Sequence, residues 1–225
     1  FRPRAEALNA SQNFLPNQNA MTSNLLSTSA LDEETARAEI YGLLAQLFYQ
    51  VPEPELLAQM RVAVTDAPVA GGFLEEPWRQ VVAATRSGSD EDIANEYNSL
   101  FGGVGKPEIY LFASHYISGF LNDKPVARLR EDLDALGLQR DESMSETEDH
   151  FACLCEVMRY LIAGDDVRVA NLTQQREFFA KHLQPWASDM ADVISRHPKA
   201  QFYGRLADFT QAFLGIETQG FDLLT

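Results

Sequence analysis

Four histidines (His115, His150, His182 and His197), two cysteines (Cys153 and Cys155) and a surplus of carboxylates are the side chains of this chain that could bind a metal or move a proton. Their spacing removes most of that chemistry. There is no H-E-x-x-H run and no paired C-x-x-C, so no metal-ligating pattern is present and no metal is expected. The C-x-C spacing of Cys153 and Cys155 turns the two side chains about 200° apart on a helix, too far round to bridge or to share an ion. They read as thiols in a reducing compartment. Gly102-Gly103-Val104-Gly105-Lys106 has the composition of a phosphate loop but not its spacing. The glycine needed five residues before the G-K pair is Leu100, and the Ser or Thr needed after the lysine is Pro107. It reads as an interhelical turn. Ser114 and His115 are adjacent, and adjacent side chains diverge on a helix, so they do not make a nucleophile and its base.

Asp149-His150 is the pair that keeps a functional reading. It follows an acidic cluster, Asp141, Glu142, Glu146 and Glu148, and it stands near the start of a strongly periodic segment. A helix N-terminus lowers a histidine pKa and neighbouring carboxylates raise it, so His150 can exchange hydrogen bonds with a bound chain. The competing reading is a histidine that merely bridges helices.

The elements that must position this pair are helical throughout. Ile40, Leu43, Leu44, Leu47 and Phe48 follow the i, i+3, i+4, i+7, i+8 rule behind an acidic start at Asp32, Glu33 and Glu34. Further helices are expected at about 55–64, 74–84, 90–101, 111–121 and 125–136, punctuated by Pro52, Pro54, Gly71-Gly72 and Gly137. Ser145-Glu146-Thr147-Glu148 fits a capping box that would open a seventh, with Phe151, Leu154, Cys155, Met158, Leu161 and Ile162 as its apolar stripe and Gly164 as its stop. About 169–183, 185–196 and 201–216 complete the series. The fold expected is all-α, a single globular bundle of nine or ten helices over residues 31–225.

The first 30 residues are rich in Asn, Gln and Ser without sustained periodicity, and read as a disordered tail. Met21 lies inside it, and residues 1–20, which need not belong to the native chain, are set aside from the functional reading. No basic stretch followed by an apolar run suggests a secretory signal, and no stretch approaches the roughly 20 apolar residues that span a bilayer. A soluble, cytoplasmic protein without membrane insertion is expected. Eighteen Lys+Arg against 33 Asp+Glu, a formal charge of −15, argues against a nucleic-acid partner and suits a basic peptide, although solubility alone would explain it equally well.

Three segments together resemble the TorD/DmsD/NarJ family of redox-enzyme maturation chaperones, in its TorD branch. Glu96-Tyr97-Asn98-Ser99-Leu100-Phe101 is similar to the family's E-Y-x-x-L-F. Glu148-Asp149-His150-Phe151 with Glu156-Val157-Met158 is similar to its D-H-x-x-x-x-E-x-M, and Phe178 through Trp186 to its F-x-x-H-L-x-P-W. The resemblance implies an all-helical chaperone, not an enzyme and without a cofactor of its own, that binds the apo catalytic subunit of a molybdoenzyme of the DMSO reductase/formate dehydrogenase class. It also implies binding of that subunit's twin-arginine signal peptide, with help in molybdenum-cofactor insertion and export proofreading. The peptide-binding residues it implies are Glu96, Tyr97, Ser114, Asp149, His150 and Glu156. Glu146 and Glu148 join them as acids for guanidinium groups, and Tyr97, Phe101, Tyr116 and Phe120 as candidate apolar walls. The family's W-E-S-x-Y or Y-E-S-x-Y segment reads Phe112-Ala113-Ser114-His115-Tyr116 here, without its aromatic–acid pair. The competing functions are a guanine-nucleotide-binding switch or hydrolase, reported for some family members, and a purely structural helical adaptor. Exposed grooves in a helical bundle leave a homodimer by element exchange open.

Overall fold

In the computed structural model residues 2–3, 24–63, 72–102, 106–141 and 144–223 are described, with side chains from residue 33 onward. They form ten α-helices and one short strand pairing. The elements in order are β1 (Arg2–Pro3), α1 (Asn24–Tyr49), α2 (Pro54–Val62), α3 (Glu75–Ser87), α4 (Asp90–Leu100), α5 (Ala113–Ser118), α6 (Lys124–Ala135), β2 (Leu138–Gln139), α7 (Phe151–Ala163), α8 (Leu172–His182), α9 (Ala187–Ser195) and α10 (Phe202–Asp222). The all-α expectation holds. The exception is β1 against β2, two residues each and antiparallel.

The expected tail behaves differently where it is described. Residues 24–30 are the first turns of α1, which begins at Asn24 instead of Leu31, and residues 2–3 lie on β2. The rest of that segment, residues 103–105 of the glycine run, and Glu142 lie outside the described residues.

α7 is the central helix, and its most extensive partner is α1. The expected stripe is buried, but so are Ala152, Cys153 and Val157, which leaves Glu156, Arg159, Tyr160 and Ala163 as its less buried positions. A helix enclosed on nearly all sides is what the core of a multi-helix bundle needs. α10 packs on α9 and α3, α8 covers another side of α7, and α5 lies on α6. Leu44, Leu47, Phe48, Leu154, Leu161 and Phe151 are fully buried at this junction, each side chain contributing about 1.5–3 kcal/mol.

Local chemistry explains most helix boundaries. Ser89 and Asp92 form a reciprocal capping box on α4, and the Asn171 side chain accepts from the Gln174 N–H at 3.1 Å to start α8. Pro54 opens α2 and Pro125 stands in the first turn of α6, which ends at Gly137 with φ +68°.

The start of α7 departs from expectation. The Ser145–Glu148 capping box does not form, and the helix begins at Phe151 with His150 as its cap. The cause is a competing backbone pairing. The Phe151 N–H donates to the Leu111 carbonyl at 2.8 Å and the Ala113 N–H to the Asp149 carbonyl at 3.0 Å, which forms a β-bridge between Phe112 and His150. Backbone spent across the chain cannot also open a helix. Ser145 instead donates its N–H to the Tyr49 hydroxyl at 3.1 Å.

Both cysteines are free and buried, and burial pushes the Cys153 thiol up to about 12 and Cys155 well above its ordinary value. Sequence pattern gave no hint of a buried ionic junction linking α1, α8 and α10. Arg37 donates to both Glu217 carboxylate oxygens at 2.7 and 2.8 Å and to Gln175 Oε1 at 3.0 Å, while the Tyr41 hydroxyl donates to Glu217 at 3.0 Å.

Candidate functional site

The Phe112–His150 bridge fixes Asp149 and His150, and each is committed to the scaffold. Asp149 is 1% exposed. Its Oδ2 accepts the Ser114 N–H at 2.9 Å and its Oδ1 accepts the Thr147 hydroxyl at 2.6 Å, so the carboxylate joins the start of α5 to the approach to α7. His150 is buried, and its Nδ1 accepts the Ala152 N–H at 3.2 Å. Its ring packs edge-on to Phe112 at 4.9 Å and Tyr49 at 6.2 Å. Burial drives its pKa down to about 4 against the opposing pull of Asp149, so His150 is neutral at physiological pH. Both side chains therefore serve the scaffold, and Asp149 also lines one of the clefts that flank the bridge.

The other expected site residues divide between scaffold and surface. Glu96, on α4, accepts the N–H groups of Gln201, Phe202 and Tyr203 at 2.9, 3.1 and 2.7 Å and so caps α10 from outside the helix. Its pKa rises because burial outweighs those three bonds. Tyr97 packs on Phe101 and Tyr203, and its hydroxyl donates to the Phe48 carbonyl at 3.4 Å. Ser114 is buried and accepts the Asn122 N–H at 3.2 Å. Tyr116 is stacked on Trp186 at 5.4 Å, and burial, followed by the charge of Asp189, pushes its hydroxyl up to about 12. Glu148 is partly buried, which raises its pKa, but the Arg130 hydrogen bond at 2.9 Å and the charges of Arg130 and Arg140 hold it below the usual range. Of the aromatic walls, Phe120 is exposed and Phe101 packs into the core with Tyr203. Of the candidate residues, Glu156 lines the groove described next and Asp149 the cleft on the other side of the bridge; Glu146 is intermediate in exposure nearby.

Two concavities flank the bridge. On the His150 side, a groove of about 330 Å³ runs between the end of α1, the turn before α2 and the first turns of α7. Ala45, Val51, Leu56, Met144 and Ala152 supply its apolar wall, Tyr49, Gln46 and Gln50 polar edges, and Glu53 and Glu156 its charges. Glu156 also accepts from Arg159 at 3.2 Å. On the Asp149 side, a cleft of about 410 Å³ lies among α5, α6, α7 and α8 and carries charges of both signs, Arg128, Glu131, Asp132, Asp149, Lys181 and His182. His182 Nε2 pairs with Asp132 at 2.8 Å, and burial lowers its pKa against the raising effect of Asp132. Among the described residues no group of three or more His, Cys, Asp or Glu is placed to hold a metal ion.

The D-H and H-L-x-P-W segments meet where Trp186 lies edge-on to Phe151, and Phe48, edge-on to both Phe151 and Phe101, joins the E-Y-x-x-L-F segment to them. Residues 71–192 match the family described as nitrate reductase delta subunit. The chain belongs to that family, in its TorD branch. Similar proteins include the chaperone protein TorD of Vibrio cholerae serotype O1, 25% identical over 194 residues that cover 79% of this chain and 88% of the relative. TorD of Vibrio parahaemolyticus is 26% identical over 81% of this chain and 93% of its own. The Tat proofreading chaperone DmsD of Salmonella typhimurium is 26% identical over 76% and 84%. In this member of the TorD branch, most of the motif residues hold elements together; Glu156 is the motif residue that lines the groove beside His150, whose other walls come from residues the motifs do not fix. Tyr49, Met144 and Glu53 had no sequence signal, since a tyrosine closing an apolar stripe looks like any core residue.

Proposed function

We propose that this chain is a cytoplasmic chaperone, without catalysis of its own, for the apo catalytic subunit of a molybdoenzyme. It holds the subunit's twin-arginine signal peptide and keeps the enzyme for cofactor insertion before export. Membership of the family and the chaperone names of the relatives support the class of function. The observation that carries peptide binding is the groove beside His150, whose charged lining residues, Glu53 and Glu156, are both carboxylates beside an apolar wall. An apolar surface with acidic edges suits a segment that presents guanidinium groups next to apolar side chains.

An affinity pull-down of the chain from its native cytoplasm tests this reading. One molybdoenzyme subunit should co-elute with the wild type and be lost with a Glu53→Lys/Glu156→Lys variant. Recovery of no such subunit, or equal recovery by both proteins, would overturn the reading.

A further inference from the structure

Sulfur chemistry in this chain converges on one side chain. Of the five methionines, Met60, Met158 and Met190 are buried, at 3%, 0% and 0% exposure, and among the described methionines Met144 alone stays partly open to solvent. Both cysteines are free and buried, and burial pushes the Cys153 thiol up to about 12 and Cys155 well above its ordinary value. Peroxide attacks a thiolate, which these two residues do not present at neutral pH. A thioether needs no deprotonation, so Met144 is the accessible target.

Met144 also stands where an added oxygen matters. It lines the groove beside His150 together with Ala45, Val51, Leu56 and Ala152. Its backbone is pinned from two directions: Arg140 donates to its carbonyl at 3.0 Å, and the next residue, Ser145, donates its N–H to the Tyr49 hydroxyl at 3.1 Å. Tyr49 lines the same groove. With the backbone held at both points, an oxidised side chain remains at the wall. A sulfoxide is polar where a thioether is apolar, and covering it with an apolar segment costs free energy unless it finds a hydrogen-bond donor.

We infer that Met144 is a reversible oxidation site that controls peptide binding in the groove. Hydrogen peroxide is the oxidant: its O–O bond breaks, one oxygen bonds to the methionine sulfur, and the other leaves as water. The thioether gives up two electrons and the peroxide takes them, so no further co-reactant is needed. The oxidised groove releases the apolar part of a bound peptide, and reduction by methionine sulfoxide reductases restores the wall. The inference rests on the peptide-binding reading and adds to it a means of control.

The test treats the full chain and a Met144→Leu variant with hydrogen peroxide and locates added oxygen by mass spectrometry of proteolytic fragments. A fluorescein-labelled synthetic peptide, an Arg-Arg pair followed by an apolar run, is then titrated by anisotropy. Leu has nearly the volume of Met, so the untreated variant should bind as the wild type does. Treatment should place one oxygen on Met144 ahead of the buried Met60, Met158 and Met190. Wild-type binding should weaken about tenfold, as expected when an unpaired polar group is covered, and recover after incubation with the reductases, while the variant's affinity does not change. Oxidation that spares Met144, unchanged affinity once Met144 carries the oxygen, an equal loss in the variant, or a loss that the reductases do not reverse overturns the oxidation site and leaves the groove reading intact. Absence of binding by both untreated proteins overturns the groove reading and this inference together.

Discussion

Replacing His150 by Asn separates its two structural roles, because Asn is as good an N-cap as any residue but carries no titratable group. In the native state burial holds the His150 pKa at about 4, whereas in the unfolded chain it is about 6.5. A depressed native pKa means that the unfolded chain takes up the proton first as pH falls. The stabilising contribution is complete above pH 6.5, declines as pH falls through the interval, and is lost below about 4. The full difference is about 3 kcal/mol at 1.36 kcal/mol per pH unit. Between pH 7 and pH 5 the loss is about 2 kcal/mol, since the unfolded chain is then almost fully protonated at this site and the native chain hardly at all. Urea unfolding at both pH values, for wild type and His150→Asn, isolates the effect from other titrating groups. The variant should be less stable at pH 7 by about 1–2 kcal/mol, for lost packing against Phe112 and Tyr49. It should lose about 2 kcal/mol less than the wild type on moving to pH 5, so the two converge. Equal losses for the two proteins would refute a buried, neutral His150.

Other perturbations probe the scaffold around it. Glu217→Gln leaves Arg37 buried without its charge partner and should cost about 3–5 kcal/mol, a fall in Tm of about 6–20 °C by calorimetry, while Arg37→Met/Glu217→Leu should recover most of it. Glu96→Ala uncovers three N–H groups at the start of α10 and should cost about 1–2 kcal/mol in thermal unfolding, with peptide affinity unchanged below the transition. Cys153 and Cys155 should react with a thiol reagent only as fast as the protein opens, so labelling should accelerate sharply with denaturant.

The helical architecture was legible because its apolar periods are long: the α7 stripe is buried as its spacing demands, and so is the α1 stripe apart from the half-buried Leu43. The start of α7 was not legible, because the local capping signal at Ser145 loses to a bridge between His150 and Phe112, a partner distant in sequence that no local propensity or period announces. Glu96 and Ser114 were picked out by type and motif, yet their roles depend on which distant N–H groups they meet, Tyr203 for one and Asn122 for the other. The Arg37–Glu217 pair spans most of the chain, and no local rule joins residues so far apart. The groove was invisible for the same reason, since it exists only where the end of α1, the turn before α2 and the start of α7 converge.

In the proposed function the groove beside His150 binds a basic, partly apolar peptide through Glu53 and Glu156. An anisotropy titration of a labelled Arg-Arg peptide against wild type and Glu53→Lys/Glu156→Lys tests it most directly, at two salt concentrations. Reversal of both charges should weaken binding by about 10- to 100-fold, and the wild-type affinity should fall with added salt while the residual affinity of the variant changes little. Equal affinities for the two proteins, with melting curves showing both folded, would contradict the claim.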